Sequence, residues 1–260
     1  MNNGSDQQRK KNTDGKCPIT RFFRTLHMII FVPTVIFLTI VLATLTFTSV
    51  VFSRKFARKV GRTWNRLVLG IGGVRVKAIG LDKLDKCERY VFMANHQSAL
   101  DIPIIYVGIG EQISFIAKKE LFAIPIFGWG MSAVGHVSID RGNPRKAHAS
   151  IANAVEKLNR EKVSLILFPE GTRSKDGKVH EFKTAAFSLA LKTGVKLVPV
   201  AIKGAIDCLP PKTNRIVPGE VILEIGTPIS VEELKNLNKT EISDRVYKEI
   251  KEMVEGCEKK

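Results

Sequence analysis

The sequence predicts an α/β protein: a single layered domain with a largely parallel or mixed sheet flanked by helices, preceded by a helical membrane anchor. Three observations predict it. Strand and helix patterns alternate after residue 73, which is typical of parallel sheets. An uncharged stretch covers 28–52, near the start of the chain. With 260 residues and 44% hydrophobic content, the chain can form one domain with a full core plus an appendage. We therefore divide it into a polar basic tail (1–20), an anchor (21–72) and a domain (73–260).

The anchor begins with the apolar stretch "MIIFVPTVIFLTIVLATLTFTSVVF" at 28–52. As a helix it would be roughly 37 Å long, enough to cross a bilayer core. It is too long for a signal-peptide core and lacks a small-x-small cleavage site. A buried helix of a soluble protein is the alternative.

A basic segment, 53–70, follows the apolar stretch. Arginines recur every four residues on it, and a separate apolar stripe accompanies them. The arginines are Arg54, Arg58, Arg62 and Arg66, and the stripe is Phe56, Val60, Trp64, Leu67 and Ile71. This periodicity predicts a basic amphipathic helix lying at a lipid surface. A solvated face on a core helix would give a similar pattern.

Basic residues also precede the apolar stretch, from Arg9 to Arg24. A single span would place one of the two positive clusters outside, against the positive-inside tendency. We therefore expect an anchor that dips into the cytoplasmic leaflet and returns. The domain would then face the cytosol at the inner membrane.

Seven strands and several helices are predicted in the domain. The strands are 74–79, 89–94, 112–117, 136–139, 163–168, 196–202 and 221–226, and the helical patterns are 99–108, 124–134, 144–160 and 184–193. Short charged helices are expected from 231 to 256, starting at a Ser230 cap. In such sheets, functional residues gather beyond the carboxyl ends of the strands.

The composition limits the classes of partner. The net charge of +16 favours anionic lipid, nucleic acid or acidic proteins. No nucleic-acid recognition module is evident, so we expect no nucleic-acid partner. The four cysteines are scattered without a metal-ligand or disulfide pattern, and we expect a reducing compartment and no metal site.

The motif "NHQSALD" (95–101) follows a predicted strand and places His96 five residues before Asp101. Residues five apart do not share a helix face. Ser98 and Asp101 have the form of an N-terminal capping box, which would start a helix at about Ala99. His96 would then lie on the preceding loop, where the Asp101 carboxylate can fix its tautomer. A helix cap with a chance histidine nearby is the alternative.

A second motif, "PEGTRS", follows the predicted strand 163–168 and contains Glu170, Gly171, Thr172 and Arg173. The glycine allows close approach of a ligand, and the arginine offers donors suited to phosphate. An ordinary loop with a surface ion pair is the alternative. Lys183 stands just before a predicted helix, whose N-terminus favours anions.

Asp140 and Arg141 follow another strand, in "GHVSIDR". A structural ion pair between them is the competing interpretation.

The ordered motifs "NHQSALD", "AKKELFAIPIFGWG", "GHVSIDR", "FPEGTRS" and "VPVAIKG" resemble the glycerolipid acyltransferase family, in particular its bacterial 1-acyl-glycerol-3-phosphate acyltransferases. The resemblance extends from near Trp64 to about residue 227. It implies transfer of a fatty acyl group from acyl-CoA or acyl carrier protein to the 2-hydroxyl of lysophosphatidic acid, with no resident cofactor. The product would be phosphatidic acid for phospholipid synthesis.

The resemblance also implies roles for single residues. His96 matches the catalytic base and Asp101 its orienting acid, while Glu170, Gly171 and Arg173 match the acceptor-binding motif. Arg141 belongs to the second block, and Lys118 matches a position associated with the acceptor phosphate. Where the family commonly has Phe-Lys-Lys/Arg-Gly, this chain has Phe182-Lys183-Thr184-Ala185.

Other interpretations stay open. No G-x-S-x-G motif is present, and no cysteine lies in a nucleophile motif, so we expect direct transfer without an acyl-enzyme. An acyltransferase for another lysolipid, such as a lysophospholipid or lyso-ornithine lipid, is one alternative. A non-enzymatic adaptor that binds membrane surfaces through its positive charge is another.

Overall fold

The computed structural model describes residues 18–110, 112–140, 150, 153–156, 159–211, 213 and 215–256. The described residues form a seven-stranded sheet with the order β1-β7-β6-β2-β5-β3-β4. The strands are β1 Val74–Ile79, β2 Tyr90–Ala94, β3 Ile113–Lys118, β4 Val137–Ile139, β5 Ser164–Leu167, β6 Lys196–Lys203 and β7 Gly219–Ile225. All neighbouring pairs run parallel except β6 and β7, which are antiparallel.

The helices flank this sheet. They are α1 Pro18–Ser49, α2 Arg54–Ile71, α3 Asp101–Gly108, α4 Lys119–Phe122, α5 Phe127–Val134, α6 Thr184–Thr193, α7 Ala205–Cys208, α8 Val231–Lys235 and α9 Lys239–Glu255. A short 3-10 helix covers Leu81–Lys83. Helical residues also occur between β4 and β5, at 150, 153–156 and 159–161.

The predicted α/β fold with a largely parallel sheet is confirmed. Each strand lies within two residues of its predicted bounds, and α6 begins and ends where the pattern placed it. The Ser230 cap is present as a full capping box with Glu233.

The predicted helix 124–134 is confirmed from Phe127 to Val134 as α5, but it begins three residues later than predicted. A turn around Pro125 and Ile126 separates it from the preceding short helix α4. The Phe127 N–H donates to the Pro125 carbonyl at 2.7 Å, and Ile126 has a φ of 66° and a ψ of −56°. This is a γ-turn with positive φ, a strained conformation for a β-branched residue. Pro125 disfavours the helical conformation of the residue before it, which explains the break.

Two apolar cores lie on opposite faces of the sheet. One contains buried residues of β2, β7, α2 and α3, among them Phe92, Leu223, Leu69 and Ile104. The other includes β5, α6 and α9, with Leu165, Phe187 and Val246 fully or almost fully buried. The sheet is therefore covered by helices on both faces, as expected for strands that are apolar throughout.

Helix α1 lies along the first of these faces and is long and apolar enough to cross a membrane from Met28 to Ser49. Met28, Phe31 and Val35 pack against the core. Farther along, the Thr39 hydroxyl accepts a hydrogen bond from the Trp64 indole N–H at 2.9 Å. The outward side of the helix is apolar and exposed, as at Ile36 and Phe37. The anchor thus shares its inner side with the domain core.

Three arginines of the α2 stripe have partners in the domain. Arg54 and Arg58 donate to the two carboxylate oxygens of Glu161, at 2.5 and 2.6 Å. Arg62 donates to the Val107 carbonyl at 3.3 Å. These contacts hold the anchor against the domain, while the Arg54 side chain remains 56% exposed. The sequence could not reveal this because Glu161 is about a hundred residues away.

Candidate active site

Four neighbouring strands, β2, β5, β3 and β4, run parallel and end at one edge of the sheet. Each is followed by a polar segment that the sequence had indicated. His96 follows β2, Glu170 and Arg173 follow β5, Lys118 ends β3, and Asp140 follows β4. The topology therefore brings motifs separated by up to about eighty residues to a single edge.

His96 and Asp101 are in direct contact. The His96 Nδ1 lies 2.6 Å from Asp101 Oδ2, and Asp101 is fully buried. The same oxygen accepts hydrogen bonds from the backbone N–H groups of Gln97 and Ser98, at 2.7 and 2.9 Å. A carboxylate that already accepts two N–H groups requires the proton of the imidazole to sit on Nδ1. The lone pair on Nε2 is therefore the one that can take a proton.

The predicted capping box was wrong in detail. The helix begins at Asp101, two residues later than expected, with Leu100 as its cap. The Ser98 hydroxyl accepts from the Leu100 N–H at 3.2 Å and donates to the Leu209 carbonyl at 2.7 Å. The Asp101 carboxylate does reach the Ser98 N–H, so one of the two bonds of a capping box exists. The same carboxylate oxygen also contacts His96 Nδ1, so Asp101 at the helix start serves both contacts.

Glu170, which we expected to bind the acceptor, lies behind the histidine. It is 6% exposed, and its Oε1 accepts from the His96 backbone N–H at 2.9 Å. Its Oε2 faces the His180 N–H at 3.4 Å. Burial raises the pKa of Glu170, while the N–H groups of His96 and His180 oppose that rise. The carboxylate thus fixes the position of the His96 backbone and has both oxygens occupied.

Further hydrogen bonds join the loop after β2 to the loop after β5 and to β6. They are made by residues that the sequence analysis did not identify. The Ser174 N–H donates to the His96 carbonyl at 2.7 Å, and the Gln97 side chain donates to the Gly177 carbonyl at 2.7 Å. Asn95 extends the β2–β6 pairing by bonding both the N–H and the carbonyl of Ile202. Asn95 and Gln97 both belong to the motif "NHQSALD". Polar residues beside the end of a buried strand could therefore have identified them as structurally important.

An aromatic ring supports the imidazole. Phe168 stacks on His96 with centroids 4.1 Å apart and an angle of 18° between the planes. Together with Asp101, this contact limits rotation of the imidazole. The His96 side chain keeps 18% of its surface exposed, so a substrate can reach it.

The residues after Glu170 have a different environment. Thr172 and Arg173 are exposed, and Arg173 makes no ion pair with any residue in the described part of the chain. Gly171 has a φ of +74°, and a Cβ there would lie 3.1 Å from the Lys183 Nζ. The structure therefore brings Lys183, at the start of α6, next to the second motif.

The lysines after β3 complete this edge. Lys118 is largely exposed and lies 3.4 Å from Glu120. Lys119 pairs with Asp140 at 2.7 Å; because of this contact, Asp140 bridges β3 and β4 instead of standing free for a ligand. Arg141, the other residue expected in this block, lies outside the described residues.

The loop that carries Arg173 is closed by a surface cluster. Asp176 accepts from the Ser174 hydroxyl, the Lys178 N–H and the His180 ring, at 2.8 to 3.1 Å. These bonds, led by that of Ser174, lower the pKa of Asp176 to about 2. Asp176 is therefore ionised throughout the physiological pH range. Its hydrogen bonds hold Ser174, Lys178 and His180 together in one loop.

A cavity of about 320 Å³ lies elsewhere, at the amino ends of β2, β3 and β5. Tyr90, Ile113 and Ser164 line it, and each stands at the first residue of its strand. It is thus separated from His96 by the length of the strands and takes no part in this site.

Fold and site together define an enzyme class: an α/β enzyme with a carboxylate-oriented histidine beside exposed cations suited to an anionic substrate. The sequence profile of the acyltransferase family matches residues 75–203, a range that contains all the predicted site residues. The chain belongs to this acyltransferase family.

Individual relatives agree with this assignment. A chloroplastic 1-acyl-sn-glycerol-3-phosphate acyltransferase of Arabidopsis thaliana is 36% identical over 180 residues, covering 68% of this chain and 50% of the relative. The 1-acyl-sn-glycerol-3-phosphate acyltransferase of Escherichia coli is 36% identical over 141 residues, covering 54% and 57%. The chain thus spans about half the length of these curated relatives.

A solved structure matches more completely. The crystal structure of the 1-acyl-sn-glycerophosphate acyltransferase of Thermotoga maritima superposes with a TM-score of 0.80 at 28% identity. The match covers 92% of this chain and 98% of that one. The likeness therefore includes the helices that precede the sheet.

Proposed function

We propose that this chain transfers a fatty acyl group from a thioester to the free 2-hydroxyl of lysophosphatidic acid, giving phosphatidic acid. One observation carries the proposal. His96 has Nδ1 fixed by buried Asp101 and Nε2 open, and Arg173, which has no ion pair with any described residue, follows directly on the loop that holds the His96 backbone. The names of the relatives, which refer to 1-acyl-sn-glycerol-3-phosphate, support this acceptor.

The reaction follows from the open nitrogen. Nε2 of His96 takes the proton of the 2-hydroxyl while that oxygen attacks the carbonyl carbon of the thioester. The new carbon–oxygen bond gives a tetrahedral intermediate, which collapses as the carbon–sulfur bond breaks. The departing sulfur takes the proton from the imidazolium, and the free thiol leaves. Asp101 stabilises the imidazolium between these steps.

The acceptor is assigned from the cations. A phosphate monoester carries nearly two negative charges near neutral pH and needs several positive groups close by. Arg173, Lys183 and Lys118 are exposed, and we assign the phosphate to these side chains. A zwitterionic head group would gain less from such a cluster.

The donor is a thioester of coenzyme A or of acyl carrier protein. Both carry the same reacting group on a phosphopantetheine arm, so the His96 chemistry serves either. No resident metal or cofactor is required, because the base, its orienting acid and the phosphate-binding cations are all side chains.

We assign the enzyme to the cytosolic face of the inner membrane, held there by an anchor that enters one leaflet. Helix α1 contacts the rest of the chain from Met28, in the core, to Phe47, beside Trp129. These contacts extend over roughly 29 Å, about the thickness of a hydrocarbon core. A helix held to a charged domain over that length cannot cross the bilayer alone. The domain would have to enter with it.

The test is a panel with the purified full chain. Thiol release is measured with acyl-CoA and acyl carrier protein donors, each with lysophosphatidate, lysophosphatidylcholine, lysophosphatidylethanolamine and a lyso-ornithine lipid. We expect release that depends on lysophosphatidate. Equal or better turnover of another lysolipid would overturn the acceptor, and no acceptor-dependent release with either donor would overturn the enzyme in favour of an adaptor.

A further inference from the structure

The segment that connects β3 to β4 contains an uncharged run, "LFAIPIFGWGMSAVG", from residue 121 to 135. Much of its first part is on the surface. Leu121 is 37% exposed, Ile124 46% and Trp129 53%, and Pro125 is also exposed. A surface cluster of large apolar side chains without charge calls for a binding partner, because isolated apolar residues are normal but contiguous patches are not.

We propose that residues 121–129 form a lipid-inserting wedge, a second membrane contact besides the anchor helix. The proposal rests on the membrane association proposed above and extends it to part of the catalytic domain. Neither the hydropathy of α1 nor the basic pattern of α2 predicts it, since the wedge begins 50 residues after the end of α2.

The wedge is continuous with the apolar side of α1. The Trp129 ring lies 5.7 Å from the Phe47 ring, and both side chains are about half exposed. One residue farther on, a Cβ at Gly130 would lie 3.1 Å from the Ala43 Cβ, so helices α1 and α5 are in close contact. A bilayer that covers the exposed side of α1 therefore meets Trp129 as well.

The backbone of the wedge is built to hold these side chains outward. Ile126 keeps the strained γ-turn described above, and a Cβ at Gly128 would lie 2.1 Å from the Phe122 carbonyl oxygen. Only glycine fits at that position without a shift of the backbone. Strain of this kind is retained where a function requires the conformation.

The surroundings of the wedge fit a lipid surface better than a protein partner. Trp129 has the amphipathic ring that is enriched at membrane interfaces. Lys118, Lys119 and Glu120 directly precede the wedge and are each more than half exposed; this stretch keeps one net positive charge, as expected at the level of anionic head groups. The wedge would place the end of β3, and with it the proposed phosphate site, at head-group depth. A lysolipid could then reach His96 without leaving the membrane.

The two tryptophans of the chain give a direct test. Trp129 is on the wedge, whereas Trp64 is partly buried and donates to Thr39 between the anchor helices. Trp64→Phe leaves Trp129 as the sole indole, and Trp129→Phe leaves Trp64. Each full-length variant is bound to phosphatidylcholine–phosphatidylglycerol vesicles with bromine near the top or near the end of the acyl chain. We expect Trp129 to be quenched at least about twofold more strongly than Trp64, most by the shallow bromines.

The outcomes separate the two proposals. If the protein floats with the vesicles but Trp129 is quenched no more than Trp64, the wedge is wrong and the anchor stands. If the protein does not float with the vesicles, both the wedge and the membrane anchor are wrong, whether or not the thiol-release assay shows acyltransferase activity. Shielding of Trp129 that follows dimer formation and not vesicle binding would assign the surface to a second copy of the chain and overturn the wedge.

A matched pair of double variants gives a second readout. Leu121→Asn/Ile124→Asn removes wedge side chains, and Leu81→Asn/Ile79→Asn removes a leucine and an isoleucine of nearly equal exposure, 39% and 41%, at the β1 edge of the sheet. We expect the wedge variant to need roughly three- to tenfold more lipid for half-maximal Trp129 quenching in the Trp64→Phe background. The β1-edge variant should match its parent. Equal shifts in both would overturn the wedge.

Discussion

The two halves of the proposed active site, one for catalysis and one for the acceptor, are built in opposite ways. In the catalytic half, Asp101 is fully buried and Glu170 nearly so, and three of their four carboxylate oxygens accept hydrogen bonds from the His96–Ser98 or His180 groups. In the acceptor half, Arg173 and Lys183 are exposed and form no ion pair within the described residues.

This difference reflects what each half must do. A general base works only if its geometry is set before the substrate arrives, so the hydrogen bonds that orient it are made during folding. A cation that already had a carboxylate partner would have to give up that bond to bind phosphate. Arg173 and Lys183 therefore keep their charges free of any partner among the described residues, and variants in the two halves should affect different kinetic constants.

The largest effect is expected in the catalytic half, for His96→Ala. Loss of the base should lower kcat by about 10²- to 10⁴-fold, with little change in the KM for lysophosphatidate. Steady-state thiol release measures both constants, and circular dichroism checks the fold. Turnover close to that of the wild type would remove His96 from the mechanism and with it the distinction between the halves.

Arg173→Ala should give the next largest effect, now in the acceptor half. Losing one charged hydrogen bond to phosphate should reduce kcat/KM by roughly 10- to 100-fold, mainly through KM. Arg160, an exposed arginine that precedes the amino end of β5, provides the control as Arg160→Ala. A fall in kcat at unchanged KM would mean that Arg173 serves the chemistry instead of the acceptor.

Glu170→Gln tests whether Glu170 positions His96 or binds the acceptor. The amide can still accept from the His96 N–H but presents a donor to one of the two backbone groups, so we expect kcat to fall roughly tenfold at unchanged KM. A role in acceptor binding would raise KM instead.

The pH profile provides a second readout for Glu170. Burial raises the pKa of its carboxyl group, so on acidification it takes up a proton earlier than an exposed glutamate and loses the charge that holds His96. Because the raised pKa makes protonation more favourable in the folded chain than in the unfolded one, this group adds stability as the pH falls. We expect the acid side of the activity profile to be steeper in the wild type, where Glu170 adds one proton step, than in Glu170→Gln. The same slope for both proteins would contradict the positioning role.

The smallest effect is expected for Lys118→Ala. Its side chain is 60% exposed, where solvent screening weakens charge interactions, so KM should rise about threefold at low salt. Lys119→Ala serves as the control because Lys119 is held at 2.7 Å by the largely buried Asp140, whereas Lys118 lies 3.4 Å from the exposed Glu120. An equal rise in both variants would indicate a general surface charge effect and not a specific phosphate contact.

The sequence predicted much of the fold because the strands are short apolar runs whose period is local. It predicted the His96–Asp101 pair for the same reason: five residues and a bend determine whether the two side chains can meet. It did not predict that Glu170 supports His96, since that contact joins residues 74 positions apart and depends on β2 and β5 being neighbours. The contacts of Arg54 and Arg58 with Glu161 escaped prediction likewise, because helical periodicity identifies a polar face but not the partner it meets.

The contact between the Ile216 N–H and the Met28 sulfur, at 3.4 Å across 188 positions, has a consequence for biosynthesis. At ordinary rates of translation, the ribosome needs roughly 10 to 40 s to progress from one residue to the other. Until then, the inner side of α1 has no finished domain to pack against and exposes apolar surface on both sides. The nascent anchor must therefore be sheltered by lipid or a chaperone during elongation, and a pause before residue 216 would prolong the interval in which it can aggregate.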